Sequence, residues 1–200
     1  MEKSGIAVFG GSFNPPTIAH ISLAKQVLAK MDNLEKVILV PVSTRYNKNG
    51  LASDEIRFNM LEQICAKEPG LEVSRLELDS DKQLYTIETL RKIKQQNPNK
   101  QIYFVLGTDN LKELETWHKV YELLSSFKFI VLKRDEDSVS DIIDKIKILK
   151  KYESSFFELN GIDTVDLSSS YVRKRIQDGE TIVGLVPSKI EKMALEVYKK

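Results

Sequence analysis

The segment GIAVFGGSFNPPTIAHISLAKQVLAKMDNLEKVILVPV, residues 5–42, contains three elements whose order specifies an architecture. GIAVF is a short apolar run that stops at Gly10 and Gly11, which predicts a buried strand bounded by glycine. Beyond the loop GSFNPP, Ile21, Ala24, Val27, Leu28 and Met31 recur at steps of three and four, the apolar stripe of an amphipathic helix. KVILVPV, residues 36–42, is β-branched and nearly continuous, as a parallel strand covered on both faces should be. Together they form a βαβ unit with a glycine-containing loop after its first strand.

The alternation continues outward. A helix is predicted at about 54–67, a strand in LEVSRLEL, a helix at about 86–96 and a strand at QIYFVLG. Helical segments follow near Leu111–Leu124, then a strand at KFIVL and a helix near Val139–Lys151. This pattern predicts an α/β fold: a Rossmann-like open parallel sheet with helices on both faces. The last stretch has an SSS cluster before YVRKRI, then Gly184, Pro187 and a final helical segment, which predicts a C-terminal helical cap. The chain is therefore read as one domain, residues 1–200, with a core over 1–165 and a helical subdomain over 166–200.

Thirty Lys and Arg against twenty-nine Asp and Glu leave a formal net charge of +1, so no bulk field attracts nucleic acid or an anionic membrane. An anion site must be local. The only cysteine, Cys65, cannot form an internal disulfide and suits a reducing compartment, so the cytoplasm is expected. No apolar run approaches the ~18 residues that span a bilayer, and no signal-peptide layout precedes the first strand.

Ligands of parallel open sheets sit at the carboxyl ends of strands, where GGSFNPPTIAH leaves the first strand and enters a helix. Gly10 and Gly11 allow close backbone approach, Ser12 offers a hydroxyl, and the helix start adds unpaired amides at a positive dipole end. Thr17 and His20, three apart, share one face of the first turn and could contact neighbouring phosphate oxygens. The loop matches neither GxGxxG nor GxxxxGKS/T. A second anion site is suggested by SSSYVRKRI, with Ser168 and Ser169 at a helix start and Arg173 about a turn further on.

GSFNPPTIAH resembles the signature of the nucleotidyltransferase superfamily, in which glycine, a small hydroxyl residue, Phe, Asn or Asp and Pro lead to His or Thr and a final His. Its threonine version, at Thr17, looks like the pyridine mononucleotide adenylyltransferases. DLSSSYVR resembles the superfamily's second signature, about 150 residues downstream in the expected order. The resemblance implies that Gly10, Gly11, Ser12, Phe13, Ser168 and Ser169 bind ATP and that His20, Thr17 and Arg173 act on its triphosphate.

Three further segments bear on the substrate. GTDNLKELETW, residues 107–117, resembles a family stretch in which Gly107 and Asp109 would lie against adenosine and Trp117, the only tryptophan, would stack on a pyridine ring. LYTIETL resembles the SYTxxTL segment of bacterial nicotinate mononucleotide enzymes, implying that Tyr85 and Thr86 face the pyridine substituent. The bacterial PPHK-like loop is absent. PVSTRYNKNGL instead looks like the loop of eukaryotic nicotinamide mononucleotide enzymes, giving Lys48, with Ser12, the mononucleotide phosphate. Arg57 matches a basic position shared by both branches and is read as structural, paired with Asp54 or Glu55.

The chain is thus identified as a member of the nicotinate/nicotinamide mononucleotide adenylyltransferase family, joining ATP to nicotinate mononucleotide, or also nicotinamide mononucleotide, with release of pyrophosphate. Mg²⁺ would be carried by ATP, with no dedicated protein metal site. The partners expected are ATP and a pyridine mononucleotide, with neither nucleic acid nor membrane. Two alternatives stay open: another nucleotidyltransferase, acting on phosphopantetheine or with CTP, and a nucleotide-sensing module without turnover. His118 and the lysines from Lys145 to Lys151 read as surface residues, and Cys65 as a packing residue.

Overall fold

In the computed structural model, which describes residues 4–45, 50–133, 138–162 and 167–199, six parallel strands form one sheet. They are β1 (Gly5–Gly11), β2 (Leu34–Pro41), β3 (Leu71–Val73), β4 (Gln101–Gly107), β5 (Lys128–Leu132) and β6 (Phe156–Leu159), in the order β3-β2-β1-β4-β5-β6. The helices are α1 (Ile18–Lys30), α2 (Asp54–Cys65), α3 (Thr86–Gln96), α4 (Thr108–Glu113), α5 (Val120–Ser126), α6 (Val139–Lys145), α7 (Lys147–Lys151), α8 (Ser169–Gln177) and α9 (Ser188–Tyr198).

The strand order reverses between β1 and β4. Right-handed crossovers leaving that point in opposite directions place their helices on opposite faces of the sheet. Side chains alternate accordingly: Ala7, Val37, Leu39, Tyr103 and Val105 enter the core under α1, α2, α8 and α9. Ile6, Val8, Ile38, Val40, Ile102 and Phe104 enter the core under α3 to α7. Val172 and Ile176 of α8 and Ile190 and Ala194 of α9 are buried in the first of these cores.

Two strand boundaries depart from expectation, and one strand is not predicted at all. β1 does not stop at the glycines: Gly10 and Gly11 are extended strand, paired with Val40 and Pro41. β3 is only three residues long. Leu39 and Val37 face β3, accepting from Ser74 N and donating to Gly70 O, so Pro41 is the next β2 residue on that side. Having no N–H, it ends the ladder, and the chain turns with Asp79 N bonded to Arg75 O. The four-residue edge strand β6 carries no alternation of burial, and its sequence FFEL lacks the periodicity that would predict it.

The helical segments expected near 111–124 are α4 and α5, separated around Trp117, which is extended, and Lys119, which is left-handed at φ 53°. The single helix predicted near 139–151 is interrupted at Ile146, whose backbone is extended.

Candidate active site

The loops after β1 and β4 leave the sheet on either side of the reversal, where a crevice opens in this topology. The first loop enters α1 through Thr17, its N-cap. Thr17 Oγ1 lies 2.7 Å from His20 Nδ1, and the Thr17 N–H donates to the same nitrogen at 3.0 Å. Because a main-chain N–H can only donate, Nδ1 is the acceptor and the ring proton resides on Nε2. His20 is thereby held as an Nε2–H donor. Phe13 packs edge-on to the imidazole at 5.2 Å between centroids, and Phe9 lies 6.4 Å from it.

Phe13 is 1% exposed and adopts φ 45°, an uncommon conformation for a residue with a side chain. Its ring occupies the space beside Gly11, where an added Cβ would approach it to 3.1 Å. Gly11 therefore makes room for Phe13. Gly10 differs, since a Cβ there would meet only the Phe104 ring, at an ordinary 3.6 Å. The amides at the start of α1 are less open than expected, because the C-terminal segment crosses them. Ile18 N–H donates to Leu185 O at 3.0 Å, and the His20 N–H is directed to Thr17 Oγ1 at 3.5 Å.

The second predicted motif docks on this loop. Arg173 Nη1 donates to Asn14 O at 2.7 Å and Ser169 Oγ donates to Pro15 O at 2.8 Å, closing sequence separations of 159 and 154 residues. Arg173 Nη2 also reaches Ser170 Oγ at 3.1 Å. Ser168 is the N-cap of α8, accepting from Tyr171 N at 3.1 Å.

Asn14 and Arg57 organise the loop from within the protein. Asn14, 3% exposed, donates from Nδ2 to Gly50 O at 2.8 Å, while its Oδ1 accepts from Ala52 N at 2.9 Å and Tyr198 Oη at 2.6 Å. Burial pushes the Tyr198 phenol up to about 12, against a smaller opposite effect of Arg173 and Arg57, so it is a neutral donor at neutral pH. Arg57 is fully buried and holds Ser12 O at 2.9 Å, Ala52 O at 2.9 Å and Asp54 Oδ1 at 2.5 Å, in keeping with the structural reading. Burial lowers its pKa, and the Asp54 carboxylate opposes that shift. No signal short of a three-dimensional fold pairs Asn14 with Tyr198.

On the β4 side, Gly107 ends the strand and caps α4, Thr108 is buried and Asp109 is exposed in the first turn. Trp117 is half-buried, edge-on to Phe104 at 6.0 Å, the residue that also flanks Gly10. Thr86 begins α3, and Tyr85, 52% exposed, stacks on His118 at 4.1 Å with rings inclined by 24°. His118 is exposed, as expected of a surface residue, and forms an aromatic pair with Tyr85. Thr89 is buried and donates to Glu77 Oε1 at 2.7 Å. Lys48 lies outside the described residues. Among those described, no cluster of three or more His, Cys, Asp or Glu could hold a metal, and no helix is long and apolar enough to cross a membrane.

A histidine-bearing helix start and an arginine-bearing second helix that meet at the switch point of a parallel sheet have the layout of a nucleotidyltransferase-type site. Residues 8–175 match the cytidylyltransferase-like family model, so the chain belongs to that family. Within it, the chain falls among the nicotinate-nucleotide adenylyltransferases. It is 32% identical to a Clostridium novyi protein named "Probable nicotinate-nucleotide adenylyltransferase", over 100% of both chains. A Fusobacterium nucleatum protein of the same name is 31% identical over 96% of this chain and 98% of its own. The fold is similar to that of Plasmodium falciparum nicotinic acid mononucleotide adenylyltransferase complexed with NaAD, with a TM-score of 0.76 at 21% identity, covering 97% of this chain and 98% of that one.

Proposed function

We propose that this protein transfers the adenylyl group of MgATP to the 5′-phosphate of nicotinate mononucleotide, forming the deamido dinucleotide and pyrophosphate. A phosphate oxygen of the mononucleotide attacks the α-phosphorus in line. A new P–O bond forms, the α,β bridge bond breaks, and its electron pair leaves with pyrophosphate. The nucleophile is already an anion, so no general base is required. The chain's work is positioning two polyanions and stabilising charge as it builds on the leaving group.

The observation that carries this reading is the docking of Arg173 and Ser169 onto the loop that presents Thr17 and His20. It joins a cation and a fixed Nε2–H donor at one strand end. Gly10, Ser12, Gly107 and Asp109 would line the ATP side. Tyr85, Thr86 and Trp117 would receive the pyridine, and Lys48 its phosphate. The names of the similar bacterial proteins support nicotinate, as does the YTxxTL segment. Mg²⁺ would arrive on the phosphate oxygens, in line with its preference for phosphate and water ligands. The reaction is assigned to the cytoplasm, a reducing compartment suited to the free Cys65.

The test is pyrophosphate release with Mg²⁺ and ATP, comparing nicotinate and nicotinamide mononucleotides at equal concentration, with CTP replacing ATP in parallel. A large preference for nicotinate with ATP is expected. Product only from CTP would overturn the nucleotide assignment, and equal or better use of nicotinamide would overturn the substrate preference. His20→Ala should lower kcat by about 100-fold or more with little change in mononucleotide KM, as for a donor used in the transition state.

A further inference from the structure

We propose that Tyr198, at the end of α9, is a positioning residue for adenylyl transfer, acting through Asn14 on the loop after β1. This rests on the adenylyltransferase reading. Ile190, Ala194 and Tyr198 recur every four residues and form the buried stripe of α9, a packing duty that phenylalanine would serve as well at the last position. The hydroxyl needs a separate reason, and the structure supplies one. It crosses 184 residues of sequence to donate to Asn14 Oδ1 at 2.6 Å in a buried setting.

That bond completes the carboxamide. Oδ1 receives two donors, Tyr198 Oη and Ala52 N, and Nδ2 donates to Gly50 O; a flipped amide would set its NH₂ against the Ala52 N–H and its oxygen against the Gly50 carbonyl, so the orientation is fixed and Tyr198 Oη donates. The main chain of the same residue carries the carbonyl that receives Arg173 Nη1. The next carbonyl, of Pro15, receives Ser169 Oγ. Locking Asn14 therefore fixes where the triphosphate cation stands relative to Thr17 and His20. Tyr198 itself is behind the loop, bonded to Asn14, and is assigned no contact with substrate. Because the groups it aligns act on the leaving pyrophosphate, loosening them should lower kcat more than it raises either KM.

The experiment uses the full chain with Tyr198→Phe, and Ile190→Val as a packing control on the same helix. Steady-state pyrophosphate release is measured with ATP and nicotinate mononucleotide. Exchange of the Ala52 amide proton is measured by NMR without substrate. Tyr198→Phe should lower kcat about fivefold with both KM values within about twofold, and speed Ala52 exchange about fivefold, as loss of one buried hydrogen bond would. Ile190→Val should lower Tm while leaving kcat and Ala52 exchange unchanged. Wild-type kcat and exchange in Tyr198→Phe would overturn the proposal, as would an equal fall in kcat in Ile190→Val. Absence of turnover by the unmodified protein with either mononucleotide would instead overturn the adenylyltransferase reading. Ala52 exchange would then still decide whether Tyr198 holds Asn14.

Discussion

Replacing Arg57 tests whether the loop after β1 is held from behind by a buried cation. The guanidinium is fully buried and divides its donors among Ser12 O, Ala52 O and Asp54 Oδ1. Breaking a buried pair by removing one partner costs about 3–5 kcal/mol. Two orphaned carbonyls add to this, but they share the same guanidinium and do not sum independently. Asp54 keeps the Thr44 N–H at 2.7 Å and the Ser43 hydroxyl at 3.0 Å, which tempers the loss. We therefore expect Arg57→Ala to cost about 4 kcal/mol, in the middle of the cited range. At ~2–4 °C per kcal/mol for a chain of this size, Tm should fall by roughly 8–16 °C. Arg57→Lys keeps the charge but cannot reach three diverging acceptors, so it should lose about half as much. Urea unfolding of the three proteins, with the slope checked for constancy, measures these differences. A loss below about 1 kcal/mol in Arg57→Ala, the scale of one ordinary hydrogen bond, would refute the buried-staple reasoning. If activity vanished with stability intact, Arg57 would serve the reaction by positioning the loop and not by holding the fold.

Gly10→Ala introduces a Cβ with only Phe104 at 3.6 Å nearby, so Tm should stay within about 2 °C while kcat/KM for ATP falls at least tenfold. A large loss of Tm with normal kinetics would show that packing, and not ligand approach, requires the glycine. Thr17→Val removes the N-cap oxygen and its contact with His20 Nδ1, and should cost about 1 kcal/mol of stability as well as turnover. Unchanged kcat in that variant would dissociate Thr17 from the histidine. Burial raises the pKa of Glu77, a shift opposed by the hydrogen bond from Thr89. A carboxyl raised on folding binds more protons in the native state, so its unfavourable effect is absent below the ordinary carboxylate value and grows as pH rises towards the folded value. Glu77→Gln, which preserves an acceptor for Thr89, should raise the urea midpoint at pH 7 and change it little at pH 4. Equal effects at both pH values would contradict the burial argument.

The elements legible in the sequence are those whose burial has a period. α3, β4 and β5 have the predicted ranges because apolar side chains enter a core at helical or strand spacing. β3 is shorter than its apolar stretch because its ladder ends at Pro41 of another strand, and β6 is not legible because an edge strand with an exposed Phe157 has no burial pattern to read. The two anion motifs were visible from residue type and spacing, and they do meet. What periodicity could not give was the set of single polar contacts between distant segments: Asn14 with Tyr198, Arg57 with Ser12, and Tyr85 against His118. A lone hydrogen-bonding residue has the same appearance in sequence whether it caps a helix, faces solvent or joins two ends of the chain.

Those contacts also bear on how a chain of net charge +1 could serve the proposed reaction between two polyanions. Both arginines at the first loop are directed at main-chain carbonyls: Arg57 at Ser12 and Ala52, Arg173 at Asn14. With Ser169 on the Pro15 carbonyl, three carbonyls of a four-residue stretch, 12–15, are occupied by donors from elsewhere. Their partial negative charge is offset locally, beside the place where phosphate would approach. A surface field strong enough to gather polyanions would be screened over about 8 Å at physiological salt and would attract nucleic acid as well. Arg57 is matched by Asp54 and serves only to hold the carbonyls, whereas Arg173 brings a positive charge to the loop by bonding to its backbone, without giving the whole protein a basic surface.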